Sequence, residues 1–163
     1  MTYTELKNTI YSILAQLNPS ATIIRADGQG TRPSLPYLTY KIENFESIGM
    51  PYFDGETDVS GNENIKYDEN FQVTLRGYGL SARDLMKVIK DKLRLNSGID
   101  ILVANNIALR ELNNPITDIS LTIDNTTEKQ YLWEIIMGYA EQITDDPDYI
   151  ANVELIDNIN QPN

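Results

Sequence analysis

The densest cluster of residues able to do chemistry is an acidic run late in the chain, which contains Asp145, Asp146 and Asp148. Carboxylate oxygens are the ligands that calcium prefers, so the run is a candidate calcium site. It lacks the glycine turn and the distant bidentate glutamate of an EF-hand loop, and Glu154 and Asp157 follow at no ligand spacing. A calcium-binding module therefore stays an alternative, and we predict no metal ligand.

A second acidic group alternates along the chain at Asp54, Glu56 and Asp58. In an extended segment these side chains would point to one side, where they could hold a divalent ion weakly. A solvated hairpin tip explains the same pattern. Glycosidase chemistry needs two carboxyl groups at a fixed separation, and nothing in the sequence places any two of them so.

Two residue types that carry much of enzyme chemistry are missing, because the chain has no cysteine and no histidine. This excludes thiolate nucleophiles, zinc–thiolate sites and iron–sulfur clusters. It also removes the commonest general base near neutral pH and the usual partner of a catalytic serine. No phosphate loop with lysine, Gly-x-Ser-x-Gly or paired-histidine motif is present. We predict that the protein is not an enzyme and has no catalytic residue, cofactor-binding residue or cofactor.

The net charge of −11 is concentrated in two places. Residues 43–69 hold eight carboxylates against Lys66 alone, and residues 141–157 hold six carboxylates and no basic residue. Such a surface repels phosphate, which disfavours ordinary binding to nucleic acid. It suits either solubility or a surface past which DNA slides without adhering. The ten tyrosines and Trp133 could stack on single-stranded nucleic acid, but packing in a core or a subunit interface explains them better.

The elements that must position these groups begin with a long strand. Between Ile65 and Leu75 apolar residues alternate with polar ones, and Glu69 is the polar exception on the apolar side. Tyr37–Ile48, extended by Met50–Phe53, is the preceding strand. The segment 54–64 between them is an acidic tip that contains two glycines. We predict a long, projecting β-hairpin whose excess length a neighbouring subunit covers.

The first predicted helix starts with a capping box of Thr2 and Glu5 and stops at Asn18-Pro19. Its apolar stripe consists of Leu6, Ile10, Ile13, Leu14 and Leu17. The second predicted helix starts at the cap Ser81, with Leu80 and Leu85 spaced for a hydrophobic staple.

The second helix has two contrasting faces. Its predicted buried stripe is Leu85, Val88, Ile89 and Leu93. Its predicted outer face is basic and consists of Arg83, Lys87, Lys90, Lys92 and Arg94. A basic helix on an acidic protein suits self-association between unlike faces, although a solvated helix face explains the charges too.

The remaining segments are predicted to be short strands, apart from one that is longer. The short ones are Ala21–Arg25, Ile99–Val103, Ala108–Leu112, Ile119–Ile123 and Tyr149–Ile156. Residues 124–128 turn a late hairpin into Tyr131–Tyr139, which is apolar on both faces and so central in the sheet or covered by a partner. The fold class is therefore α+β, a mainly antiparallel sheet with a long projecting hairpin packed against two principal helices. We expect one domain over 1–157 and a polar tail over 158–163.

The order of these elements resembles the tail terminator, or neck terminator, proteins of long-tailed and particularly contractile-tailed bacteriophages. The segments that carry the resemblance are the helix ending at Asn18-Pro19, the run from Pro36 to Ile42, Phe71–Gly77 leading into Ser81, Thr117-Asp118-Ile119 before Tyr131–Tyr139, and Tyr149-Ile150. Many members have a basic residue and an aspartate around the late hairpin, where this chain has Lys129 and Glu134 nearby.

The resemblance implies a structural virion protein that forms a homo-oligomeric ring, usually a hexamer, at the head–tail junction. Such a ring caps the tail tube, contacts tube and possibly sheath proteins, and joins head-completion proteins, while DNA passes through its lumen. We expect the hairpin from Glu43 to Glu69 to line that lumen. Another tail-assembly role, in tube completion or as a baseplate adaptor, is the alternative.

The expected location is the virion, after assembly in the cytoplasm of the host bacterium. The amino terminus does not have the pattern of a signal peptide, and no apolar run approaches the length of a membrane span. We therefore expect no membrane partner.

Overall fold

A computed structural model describes residues 1–28, 30–57, 63–112, 114–123 and 126–145 of the chain. The helices are α1 (Tyr3–Leu17), α2 (Ala82–Lys92) and α3 (Asn96–Ala104). The strands are β1 (Ile23–Arg25), β2 (Tyr37–Thr57), β3 (Glu63–Tyr78), β4 (Ala108–Glu111), β5 (Thr117–Asp118), β6 (Leu121–Ile123), β7 (Thr126–Glu128) and β8 (Gln130–Asp145).

One mostly antiparallel sheet organises the fold, with strand order β1-β2-β3-β8-β4 and β5 paired to β8. Among the described strands only β1 and β2 run parallel, and β6 pairs with β7 in a separate two-stranded ribbon. These helices and this sheet confirm the predicted α+β class. β8 lies between β3 and β4, so its apolar character on both faces reflects a central position.

The predicted hairpin of β2 and β3 is present, and a third strand extends it. β8 pairs with β3 along its whole length, from Tyr78 opposite Gln130 to Glu63 opposite Asp145. The strand expected over Tyr131–Tyr139 thus continues for six more residues at its carboxyl end, to Asp145. We call the outer part of this three-stranded ribbon the arm: residues 46–57 of β2, 63–70 of β3 and 138–145 of β8.

The core lies between one face of the sheet and the helices. The stripe predicted for α1 is confirmed, since Leu6, Ile10, Ile13, Leu14 and Leu17 are all buried. Across the sheet, Tyr40, Leu75 and Trp133 form one row of fully buried side chains. The alternation of β3 is confirmed at Phe71, Val73 and Leu75, each of which is completely buried. Burying a side chain of this size contributes about 2 kcal/mol.

α2 is rotated about its own axis relative to the prediction, so that a different set of side chains faces the sheet. Its buried residues are Ala82, Met86 and Ile89, followed by Leu93, whereas Val88 is 41% exposed and Leu85 is only partly buried. The cause lies at Gly77 of β3, where an added Cβ would come within 2.8 Å of Ala82 Cβ and 3.1 Å of Met86 Cε. Because the helix approaches the strand so closely there, small and flexible side chains must face the sheet.

The predicted start of α2 is also wrong in detail. Ser81 precedes the helix but its side chain makes no capping hydrogen bond. Leu80 is 77% exposed, so it does not form the expected staple with Leu85. At α1 the prediction holds, because the Thr2 hydroxyl accepts from Glu5 N and the Glu5 carboxylate accepts from Thr2 N.

The segment Ile99–Val103, predicted as a strand, lies inside helix α3. The prediction was wrong because the buried residues Gly98 and Leu102 are four apart, which is a helical spacing, while Ile99 and Val103 are exposed. Gly98 lets the helix start directly against the end of α2, where a Cβ would meet Lys92 O at 2.1 Å. A close contact of this kind is tertiary and leaves no local signal in the sequence.

The other short elements agree with expectation in place if not in length. β1 and β4 fall within Ala21–Arg25 and Ala108–Leu112. The predicted pairing of the late hairpin is wrong, because β6 pairs with β7 and not with the strand that contains Tyr131–Tyr139, which pairs there with β5. The expected turn over 124–128 is shorter, because Thr126–Glu128 is a strand. The expected strand Tyr149–Ile156, the tail 158–163 and the centre of the hairpin tip lie outside the described residues.

Candidate functional site

The arm presents a row of exposed apolar side chains on β2. Ile48 is 44% exposed, Met50 is 89% exposed and Tyr52 is 54% exposed. They lie beyond a bulge where Asn44 has a φ of 55°, and Gly49 between them has a φ of 74°. Exposed apolar side chains that follow one another along a short segment mark a place of interaction, so this segment of β2 is a candidate contact surface.

The outer edge of β2 is a second feature of the arm. β1 pairs with β2 only at residues 38–40, so among the described residues the edge from 41 to 57 has no strand partner. The register of β2 against β3 shifts three times over this length. Bulges of this kind blunt an edge against indiscriminate pairing. The apolar side chains, rather than the backbone edge, are therefore the better candidates for a specific contact.

A hydrogen bond explains the polar exception in the alternation of β3. Tyr139 of β8 donates its hydroxyl proton to Glu69 Oε2 across a distance of 2.6 Å. Burial, reinforced by this bond, raises the pKa of Tyr139 well above its ordinary value. Glu69 thus ties β3 to β8 at the root of the arm.

Part of the negative charge predicted for the lumen is engaged within the chain. Glu43 pairs with Lys41 and accepts from the Thr74 hydroxyl at 2.8 Å, and these contacts lower the pKa of Glu43, with Lys41 the larger cause. Asp68 pairs with Arg110 at 3.0 Å. Glu46 is exposed. The side chains at 54, 56, 58 and 63 lie outside the described ones, so the predicted lumen lining stays a prediction.

The outer face of α2 is basic as predicted. Arg83, Lys87 and Arg94 are exposed, and Lys90 and Lys92 are half-buried. Four of these residues, Arg83, Lys87, Lys90 and Arg94, line an open cleft of about 430 Å³, together with Pro115 and Ile116. We call this the basic cleft. Its acidic members are Asp84 and Asp91, and Asp91 pairs with Lys87 at 3.0 Å.

Lys90 connects the basic cleft to the core. Its Nζ donates to Asn114 O at 2.5 Å and lies 5.5 Å from the centre of the Trp133 ring. Burial lowers the pKa of Lys90, and the charge of Arg94 lowers it further. Trp133 Nε1 is buried and has no hydrogen-bond partner among the residues that the structure describes, and the indole lines a neighbouring cavity of about 110 Å³.

The metal hypotheses concern side chains that lie outside the described ones. The side chains of Asp145, Asp146 and Asp148, and those of Asp54, Glu56 and Asp58, lie outside the described ones. Among the described residues, no group of three or more acidic side chains is arranged to hold a metal ion. None of the described helices is long and apolar enough to cross a membrane.

A comparison with protein-family models matches residues 6–163 to a model described as phage neck terminator protein. The match covers nearly the whole chain. The chain belongs to the phage neck terminator family. A search of curated proteins finds no match. Membership supports a structural role in the virion, at the tail and neck of a bacteriophage, as the resemblance implied.

The late hairpin of the chain contains an ion pair that the sequence analysis did not predict. Lys129 pairs with Asp118 at 3.4 Å, whereas Glu134 lies on β8 opposite Thr74. Asp118 accepts from Ser120 N at 2.9 Å, and hydrogen bonds from Ser120 hold the pKa of Asp118 below its ordinary range. The Asp-x-Ser spacing is the signal that could have identified this turn.

Proposed function

We propose that the chain terminates the tail tube as a homo-oligomeric ring, with six copies the expected number. The ring sits at the head–tail junction, joins the tube to head-completion proteins and lets DNA pass through its lumen. The observation that carries the proposal is the arm, which presents Ile48, Met50 and Tyr52 to solvent in the single chain. A closed ring of identical copies needs two unlike, complementary faces on each copy, and an apolar arm supplies one of them.

Charge supports the same proposal. The net charge of −11 disfavours adhesion of the copies to DNA phosphates, which suits a ring through which DNA passes. The absence of cysteine and histidine from the sequence suits a part that acts by shape and contact. Assembly in the host cytoplasm, with the finished ring in the virion neck, follows from this role.

The test is growth of the phage's own tail tubes from purified tube protein, with and without this chain. The expected result is that the chain stops elongation at substoichiometric amounts, so that mean tube length falls as its concentration rises. A matched control is the same chain carrying Met50→Glu and Tyr52→Glu, which should fail to stop growth. Tubes that lengthen equally in all three reactions would remove the proposal.

We also propose that residues 1–157 form one domain and that 158–163 are a polar tail. Limited proteolysis followed by mass measurement tests this boundary. Cleavage confined to the tail supports it, and early cleavage between stable fragments of the body would contradict it.

A further inference from the structure

The basic cleft carries positive charge that the described part of the chain does not neutralise. Lys87 pairs with Asp91, but no described carboxylate lies within ion-pair distance of Arg83 or Arg94. On a chain with a net charge of −11, cations left without partners mark a place where negative charge from outside is favoured. Pro115 and Ile116 give the opposite wall of the cleft an apolar character.

A segment of suitable chemistry follows the last described strand. Residues 146–157 contain Asp146, Asp148, Glu154 and Asp157 and no lysine or arginine. They also contain apolar side chains, among them Tyr149, Ile150 and Leu155. The segment therefore offers both the carboxylates and the apolar groups that the walls of the basic cleft would bind.

Distance excludes the chain's own cleft as the site for most of this segment. Lys90 of the cleft covers Trp133, and β8 runs a further twelve residues from Trp133 to its end at Asp145. At about 3.3 Å per residue, Trp133 and Asp145 are about 40 Å apart. Glu154 is nine residues past Asp145 and reaches no more than about 32 Å when fully extended. A second copy, displaced along a ring, has no such restriction.

We propose that residues 146–157 of one copy bind in the basic cleft of a neighbouring copy. This inference rests on the proposed ring and names a second contact between its members, in addition to the one made by the arm. Arg83 and Arg94 bind the carboxylates, while Pro115 and Ile116 pack against the apolar side chains. The contact is head-to-tail, because each copy gives a segment at one end and receives one at the other, which is the arrangement that closes a ring.

The first experiment uses as the receptor the full chain carrying Glu154→Lys and Asp157→Lys. Because these substitutions reverse two charges of segment 146–157, the segment no longer binds the basic cleft, and the cleft is free for an added peptide. A labelled peptide of residues 146–157 is titrated into it, and binding is followed by anisotropy and by the emission of Trp133, the single tryptophan. We expect binding that weakens with salt. Adding Arg83→Glu and Arg94→Glu should weaken it by about ten-fold or more.

The control for charge alone is the same receptor carrying Lys41→Glu and Arg76→Glu, which makes an equal change in net charge on the opposite face of the sheet. Peptide affinity should stay unchanged there. A peptide carrying Glu154→Lys and Asp157→Lys should bind the chain that has Arg83→Glu and Arg94→Glu but keeps its native segment 146–157, and it should not bind the native cleft. No binding of the native peptide, or equal loss in the cleft and control receptors, would overturn the inference.

These outcomes are separate from the test of function. If the native chain stops tube growth but the peptide does not bind, only the proposed contact fails. If the peptide binds and responds to the cleft substitutions but tubes lengthen unchecked, the contact stands and the terminator role fails. Far-ultraviolet circular dichroism of each variant verifies that the receptors are folded.

Discussion

At the scale of single residues, the root of the arm depends on one hydrogen bond between neighbouring strands. The Tyr139 hydroxyl donates to Glu69, and both side chains lie on the face of the sheet that is otherwise apolar. Without the hydroxyl, a carboxylate oxygen in this position would lose its protein partner. The cost of a lost buried hydrogen bond is about 1 kcal/mol.

We predict that Tyr139→Phe lowers the free energy of unfolding by about 1 kcal/mol at neutral pH. Because the folded-state pKa of Tyr139 is raised, its stabilising contribution is fully present below the ordinary pKa of about 10 and is lost as the pH rises toward the folded value. Urea unfolding of the unaltered protein and of Tyr139→Phe at several pH values measures the difference in their free energies of unfolding. This difference should become smaller at alkaline pH. Tyr52→Phe, at an exposed site, is the control and should change little. A gap that widens above pH 10 would contradict the account.

Gly98 makes a second prediction at this scale. A methyl group there would meet Lys92 O at 2.1 Å, so the end of α2 and the start of α3 must separate. We expect Gly98→Ala to destabilise the protein by about 3 kcal/mol, at the upper end of overpacking costs. Gly30→Ala is the matched control, since no atom of the described residues lies within 4 Å of the added methyl carbon. Equal thermal midpoints for the two variants would show that this contact is wrong.

At the scale of elements, the two long strands and α1 could be predicted because each has a regular pattern and its own end signals. The orientation of α2 could not, because it follows from the close approach of Gly77 to Ala82 in space. The end of β8 could not either, since residues 140–145 carry no apolar alternation and are held by pairing with β3. The exposed row of Ile48, Met50 and Tyr52 could not be predicted either, because it lies among bulges of β2 that depend on how this strand pairs with β3.

The two helix starts make opposite predictions although both begin with a hydroxyl residue. Thr2→Ala should lower the free energy of unfolding by about 1 kcal/mol, because it removes a capping box that is formed. Ser81→Ala should change it by less than about 0.5 kcal/mol, because Ser81 makes no cap hydrogen bond. Denaturant melts of the two single variants measure the difference. A larger loss at Ser81 than at Thr2 would be inconsistent with the structure.

At the scale of the whole molecule, the single chain leaves apolar surface on the arm and unneutralised charge on α2, and both find partners if copies assemble. We predict that Met50→Glu with Tyr52→Glu leaves the stability of the isolated chain unchanged within about 0.5 kcal/mol, because both side chains are exposed. The same variant should lose self-association in native mass measurements at concentrations where the unaltered chain assembles.

The control for that variant is Leu121→Glu, which is 56% exposed on the separate ribbon of β6 and β7. It should assemble as the unaltered chain does. If the arm variant assembles equally well, its apolar row is not the contact surface. If the arm variant unfolds, Met50 and Tyr52 contribute to the chain's own core, and that result would contradict the exposure of their side chains.

The proposed ring can be seen directly by electron cryomicroscopy of tail tubes grown from the phage's tube protein in the presence of this chain. We predict a closed ring of copies seated on one end of each tube, with their arms directed toward neighbouring copies. Copies scattered along the tube wall, or tube ends without any added density while growth has stopped, would contradict it.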